Sequence, residues 1–121
     1  MSIEIGKVST QRAEKRGWLV GQFFPEDSDF HDDNVEIYFK KLAKGDISDR
    51  LHKHPQGNEY LVVISGKLIY QLGEDEITLE NGDYVAVPGD TPDKIIEVIE
   101  DTEILGVRYP SIPNNKVFLE E

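Results

Sequence analysis

Two histidines one residue apart, His52 and His54, with a carboxylate at Glu59 just beyond them, are the residues of this chain that name a chemistry. On an extended segment, residues i and i+2 point to the same face. The turn residues Pro55, Gln56, Gly57 and Asn58 let Glu59 fold back onto that face. Two imidazoles and one carboxylate converging from neighbouring strands make a facial site for a divalent ion, with positions left open for water or substrate. His-x-His alone is a weak signal, because isolated histidines usually face solvent or serve a hydrogen bond. The addition of Glu59 between Gly45 and Gly66 makes the pattern specific enough to pursue.

The elements that must position these residues read as short strands. Val35 to Phe39, Lys67 to Leu72 and Glu76 to Glu80 alternate apolar and polar residues, and Gly73-Glu74-Asp75 between the last two predicts a hairpin. Asn81-Gly82 is a turn dipeptide. Asp83 to Val87, Lys94 to Ile99 and Glu103 to Tyr109 complete the set. Turn signals at intervals of about eight to twelve residues are the spacing of an all-β sandwich or barrel. The best helical candidate, Thr10 to Arg16, is short and polar. Tyr60 to Ile64 is apolar on both faces, so it predicts a strand covered on both sides. The outer cover is expected from the segment Gly17 to Phe24 or from a second subunit, which suggests a homodimer covering Tyr60, Val62 and Ile64; the second sheet of a β-sandwich would serve equally well.

Composition narrows the function classes. A chain of 121 residues is one domain with a core. It holds no cysteine, so any metal site is built from nitrogen and oxygen. The 24 acidic residues against 13 basic give a formal net charge of −11, which argues against nucleic acid and anionic membranes as partners. No apolar run approaches the roughly 20 residues that span a bilayer, and the first residues lack the apolar stretch of a signal peptide, so the cytoplasm is expected. Glu26 to Asp33 is dense in acid but lacks the glycine and closing glutamate of a calcium loop, and reads as a solvated loop.

The spacing Gly45-x6-His52-x-His54-x4-Glu59-x6-Gly66 resembles the first motif of the cupin family, with one residue inserted in its first gap. Gly82-x5-Pro88 resembles the start of the second motif. The family's glycine after that proline falls at Asp90, and its last histidine falls at Asp93. The resemblance runs from about residue 35 to about residue 109. It implies an all-β cupin-type double-stranded β-helix, a jelly-roll barrel formed by a single domain over residues 1–121, with residues 1–34 and 110–121 packing on its motif core. It implies metal ligation by His52, His54 and Glu59, and by Asp93 if aspartate replaces the histidine; the plainer role of Asp93 is a loop residue. The metal would be Mn, Fe, Ni or Zn. Two imidazoles and two carboxylates neutralise a divalent ion more fully than three imidazoles and one, which favours hard metals such as Mn(II) or Fe(II) and disfavours metal-hydroxide hydrolysis.

The function this implies is binding of a divalent metal and a small polar molecule in the barrel, as an oxygenase, isomerase or decarboxylase. The rival class is a non-catalytic, metal-free ligand-binding or sensing domain. Arg50 shares the strand parity of the histidines and is a candidate for a substrate carboxylate, though a surface arginine is the plainer role. Tyr70 reads as a core aromatic, and Gln56 and Asn58 as turn residues.

Overall fold

The structure, a computed structural model, describes residues 3–47 and 49–119; Ser48 and the extreme ends of the two terminal segments lie outside it. Its elements in order are α1 (Val8–Lys15), β1 (Trp18–Val20), β2 (Glu36–Leu42), β3 (His52–Lys53), β4 (Asn58–Leu72), β5 (Asp75–Glu80), β6 (Tyr84–Val87), β7 (Asp93–Tyr109) and β8 (Val117–Phe118). The helix starts two residues before the expected one and ends one residue earlier. All named strand pairings are antiparallel.

Strand β7 is the spine. It pairs with β2, β3 and β4, while β5 and β6 hang on β4 and β8 closes the edge beyond β3. The hairpin expected at Gly73 is present, with Leu72 facing Asp75 across it and Gly73 at φ 63°. Two breaks expected in the sequence are not breaks. Tyr60–Ile64 and Lys67–Leu72 belong to one strand, β4, and 94–99 and 103–109 belong to one strand, β7. Ser65-Gly66 and Glu100-Asp101-Thr102 bend the paired strands without ending them. Register shifts fall between Val63 and Leu68. The fully buried Thr102 hydroxyl accepts from the Lys67 amide and donates to the Glu100 carbonyl, taking over the ladder bonds lost at the bulge. Gly66 sits there at φ 100°, where a Cβ would lie 2.4 Å from the Asp101 carbonyl oxygen. Long strands that bend together curl the sheet into a barrel.

The inner face carries the core, with Tyr38, Leu61, Val63, Leu68, Tyr70, Leu79, Val87 and Ile104 buried against one another. The outer face of β4 is not covered by the N-terminal segment. Strand β1 instead pairs with β2 and brings Trp18 against the core, and Tyr60 and Ile64 remain 45% and 47% exposed. Among the described residues no helix is long and apolar enough to cross a membrane.

Candidate metal centre

The barrel register decides which side chains meet. Asp93, the first residue of β7, lies opposite His52 of β3 on one side and Leu72 of β4 on the other. Glu59 of β4 lies opposite Arg108 of β7, which in turn lies opposite Glu36 of β2. The four residues expected as ligands, His52, His54, Glu59 and Asp93, are all buried. The two imidazole rings stand 5.2 Å apart, centroid to centroid.

Each histidine is held by its far nitrogen. His52 Nδ1 lies 2.6 Å from the Arg50 carbonyl, and His54 Nδ1 lies 2.8 Å from the Asn115 carbonyl. A carbonyl can only accept, so each Nδ1 carries the proton and, in the neutral ring, each Nε2 carries the lone pair. Burial, helped by the positive charge of Arg108, lowers the pKa of His54 to about 4, so that ring is neutral at pH 7.

The carboxylates are held in the same manner, by one oxygen each. Glu59 Oε2 accepts from the Tyr38 hydroxyl at 2.7 Å and from Arg108 Nε at 3.1 Å. Burial opposes its charge, but the guanidinium and the hydroxyl outweigh burial and hold the carboxyl below its ordinary range. Asp93 Oδ2 accepts from the Tyr70 hydroxyl. Burial raises Asp93 to about 6 against the pull of that hydroxyl and of His52.

The atoms left over face each other. His52 Nε2 is 3.6 Å from Asp93 Oδ1, and His54 Nε2 is 3.9 Å from Glu59 Oε1. Among the described residues His54 Nε2 and Asp93 Oδ1 are the buried side-chain polar atoms without a hydrogen-bond partner. A buried lone pair facing another lone pair is costly unless a proton or a cation lies between them. This donor set fits a divalent ion: nitrogens with fixed tautomers, carboxylates each held by a second residue, and orphaned atoms aimed inward. The atoms are not drawn in as a ligand shell, however. Among the described residues no group of three or more His, Asp or Glu is arranged closely enough around one point to form one.

Residues not singled out in the sequence complete the site. A cavity of about 200 Å³ opens beside His52, Glu59 and Asp93, and Tyr38, Lys40, Arg108 and Lys116 are on its wall. Tyr38, Lys40 and Arg108 had half a signal: Glu36, Tyr38 and Lys40 alternate on β2 and Arg108 keeps the parity of Ile104 and Gly106 on β7, which groups each set on one face without saying that this face meets the histidines. Asn115 had none, since its backbone carbonyl is what matters. Arg50 does not enter the cavity; its guanidinium lies on the Phe118 ring at 4.1 Å, so the cavity's arginine is Arg108. Tyr70 is a core aromatic, as expected, and also a hydrogen-bond donor to Asp93. The family glycine position taken by Asp90 keeps a glycine-like backbone, at φ 66°, and its carboxylate pairs with Lys53 at 2.8 Å.

The family model described as the cupin domain matches residues 38–98, half of the chain. The chain belongs to the cupin family. Solved cupin-like structures share its fold at low identity. The DMSP lyase DddQ from Ruegeria pomeroyi DSS-3 superposes with a TM-score of 0.65 at 20% identity, over 78% of this chain and 48% of that one. Salicylate 1,2-dioxygenase from Pseudoaminobacter salicylatoxidans, in its adduct with gentisate, gives 0.66 at 14% identity, over 81% and 28%. A cupin protein from Bacteroides fragilis gives 0.57 at 21% identity, over 66% and 69%. This cupin thus spans about half the length of the lyase and less of the dioxygenase. No curated protein matches the sequence.

Proposed function

We propose that this cupin holds a divalent metal ion in its barrel and binds a small oxygenated molecule beside it. The observation that carries the reading is the pairing of unclaimed donors, His52 Nε2 with Asp93 Oδ1 and His54 Nε2 with Glu59 Oε1, of which His52, Glu59 and Asp93 line one cavity. When bound, the ion would supply a Lewis-acidic centre of the kind used in oxygenase, isomerase or decarboxylase chemistry. The protein's own part is orientation and charge. Tyr38 and Tyr70 each fix one carboxylate oxygen, and the carbonyls of Arg50 and Asn115 fix the imidazoles. Lyases, dioxygenases and decarboxylases among the proteins of similar fold support an enzyme of this general kind.

A metal-free ligand-binding domain is the second reading, and one contact favours it. Arg108 sits on Glu59 and would compete with an added positive ion. Metal titration separates the two. At about 1,000 times its dissociation constant a bound ion stabilises the fold by about 4 kcal/mol. Mn(II) or Fe(II) should therefore raise the melting temperature of chelator-treated protein, and His52→Ala should remove the rise. Equal melting temperatures with metal and with chelator would favour the metal-free reading.

A further inference from the structure

The cavity contains an ammonium group that makes no ion pair among the described residues, although Asp46, Asp49, Glu59 and Asp93 also line it. Lys40 projects from the inner face of β2 and is half-buried. It makes no salt bridge among the described residues. Its Nζ instead lies 4.8 Å from the Tyr38 ring centroid and 5.5 Å from that of Trp18. The Arg108 guanidinium approaches the same rings, at 5.5 and 5.3 Å. Two cations therefore share one aromatic platform on the wall of one cavity, and Lys116 adds a third at the rim. Among the described residues Arg108 is the one of the three with ion pairs, to Glu36 and Glu59.

A half-buried ammonium without a partner costs free energy. Burial, with the repulsion of Arg108 and Lys116, accordingly lowers the pKa of Lys40. The cation–π contacts return a part of that cost. A chain with net charge −11 has many carboxylates that could have met this lysine, yet none does among the described residues. Apolar side chains also line the cavity, among them Leu42, Leu61, Val98 and Ile104.

We propose that the cavity binds a small carboxylate, with its head group on Lys40 and Arg108 and its apolar body against Leu42, Leu61, Val98 and Ile104. This deepens the proposed function, on which it rests, by giving the small molecule a charge and a shape. The ammonium supplies the charge the ligand needs, and the short apolar wall selects a compact body over a long polar chain. A bound carboxylate would form charge-assisted hydrogen bonds that the empty cavity leaves unmade. Phosphate-sized dianions are disfavoured by the carboxylates that line the same cavity, Glu59 and Asp93 among them.

Calorimetric titration with benzoate and its neutral analogue benzamide tests the assignment, run both in chelator and in saturating Mn(II). Benzoate should bind the unmodified protein at least about ten-fold more tightly than benzamide, the effect of one charge-assisted contact. Lys40→Met keeps the stem on Trp18 and Tyr38 and should abolish the preference; Lys40→Arg should restore it. Circular dichroism confirms that each variant is folded, and Mn(II) affinity, measured on the same samples, reports separately on the proposed metal site. Loss of Mn(II) binding with the benzoate preference intact would overturn the metal reading and leave the carboxylate site standing. Equal affinity for benzoate and benzamide in both conditions, or a folded Lys40→Met variant that keeps the preference, would overturn the carboxylate site.

Discussion

Glu59 and Asp93 show how little a residue's position says about its titration. Both are buried carboxylates of one site, yet Glu59 is held below its ordinary range and Asp93 is raised to about 6. The difference is Arg108, which lies on Glu59. His54 moves the other way from Asp93, down to about 4. In chelated protein the depressed His54 makes stability rise with pH, because the unfolded chain binds the extra proton between about 4 and 6.5. The raised Asp93 makes stability fall over about 4 to 6, because there the folded chain binds it. The two slopes oppose each other, so Asp93→Asn should unmask the rise, at up to about 1.4 kcal/mol per pH unit. Urea titrations at pH 4, 5 and 6 measure it, and a variant whose midpoint stays flat would show that His54 is not the depressed group. If Asp93 ligates metal, Asp93→His should shift preference from manganese toward nickel, read by competitive titration. The candidate ligands themselves were legible at this scale: strand parity and spacing carry His52, His54 and Glu59, and the resemblance to the second cupin motif carries Asp93. Arg108, Lys40 and Tyr38 went unread because nothing in a single strand says which of its faces will meet the histidines.

At the scale of elements, the candidate centre depends on two pieces of chain far from it in sequence. Strand β8 pairs with β3, and just before it the Asn115 side chain bonds the backbone of Gln56 while its carbonyl takes the His54 proton. Truncation after Pro113 should therefore weaken metal affinity by about 10- to 100-fold, the usual effect of losing the groups that orient a ligand. Calorimetry with Mn(II) measures this, and unchanged affinity in a folded truncation would show that the strap does not hold the site. On the other side, a Cβ at Gly106 would lie 1.9 Å from the Tyr38 ring. Gly106→Ala should push Tyr38 off Glu59 and cost about 1–3 kcal/mol of stability, the ordinary penalty of overpacking. Denaturant titration checks it, with an undisturbed midpoint as the contrary result. The hairpin at Gly73 was plain in the sequence, since Gly73-Glu74-Asp75 between two alternating runs decides it. The continuity of β4 and β7 was hidden, because the bond that carries the ladder across the bend comes from the hydroxyl of Thr102, thirty-five residues from the amide it receives.

For the molecule as a whole, the outer face of the sheet carries an apolar patch. Tyr60, Val62, Ile64 and Tyr84 lie on adjoining rows of β4 and β6, and Tyr84 is 78% exposed. In a chain of net charge −11, a second copy can approach at least cost through an apolar, self-complementary patch. Sedimentation equilibrium at micromolar concentration should give twice the chain mass, and Tyr84→Glu should return it to 13.8 kDa. A single-chain mass at every concentration for the unmodified protein would reject the dimer. The apolar character of Tyr60–Ile64 was readable in sequence, but which candidate covers it was not, since that depends on where β1 docks.

Trp18 is the chain's only tryptophan, and it stands under Lys40 and Arg108 and edge-on to Tyr38 at 5.2 Å. Indole emission shifts in colour and intensity when a nearby charge moves or is neutralised. The barrel thus has its single indole at its cation pair, and with excitation selective for tryptophan, occupancy of the cavity can be followed by light alone, without a label.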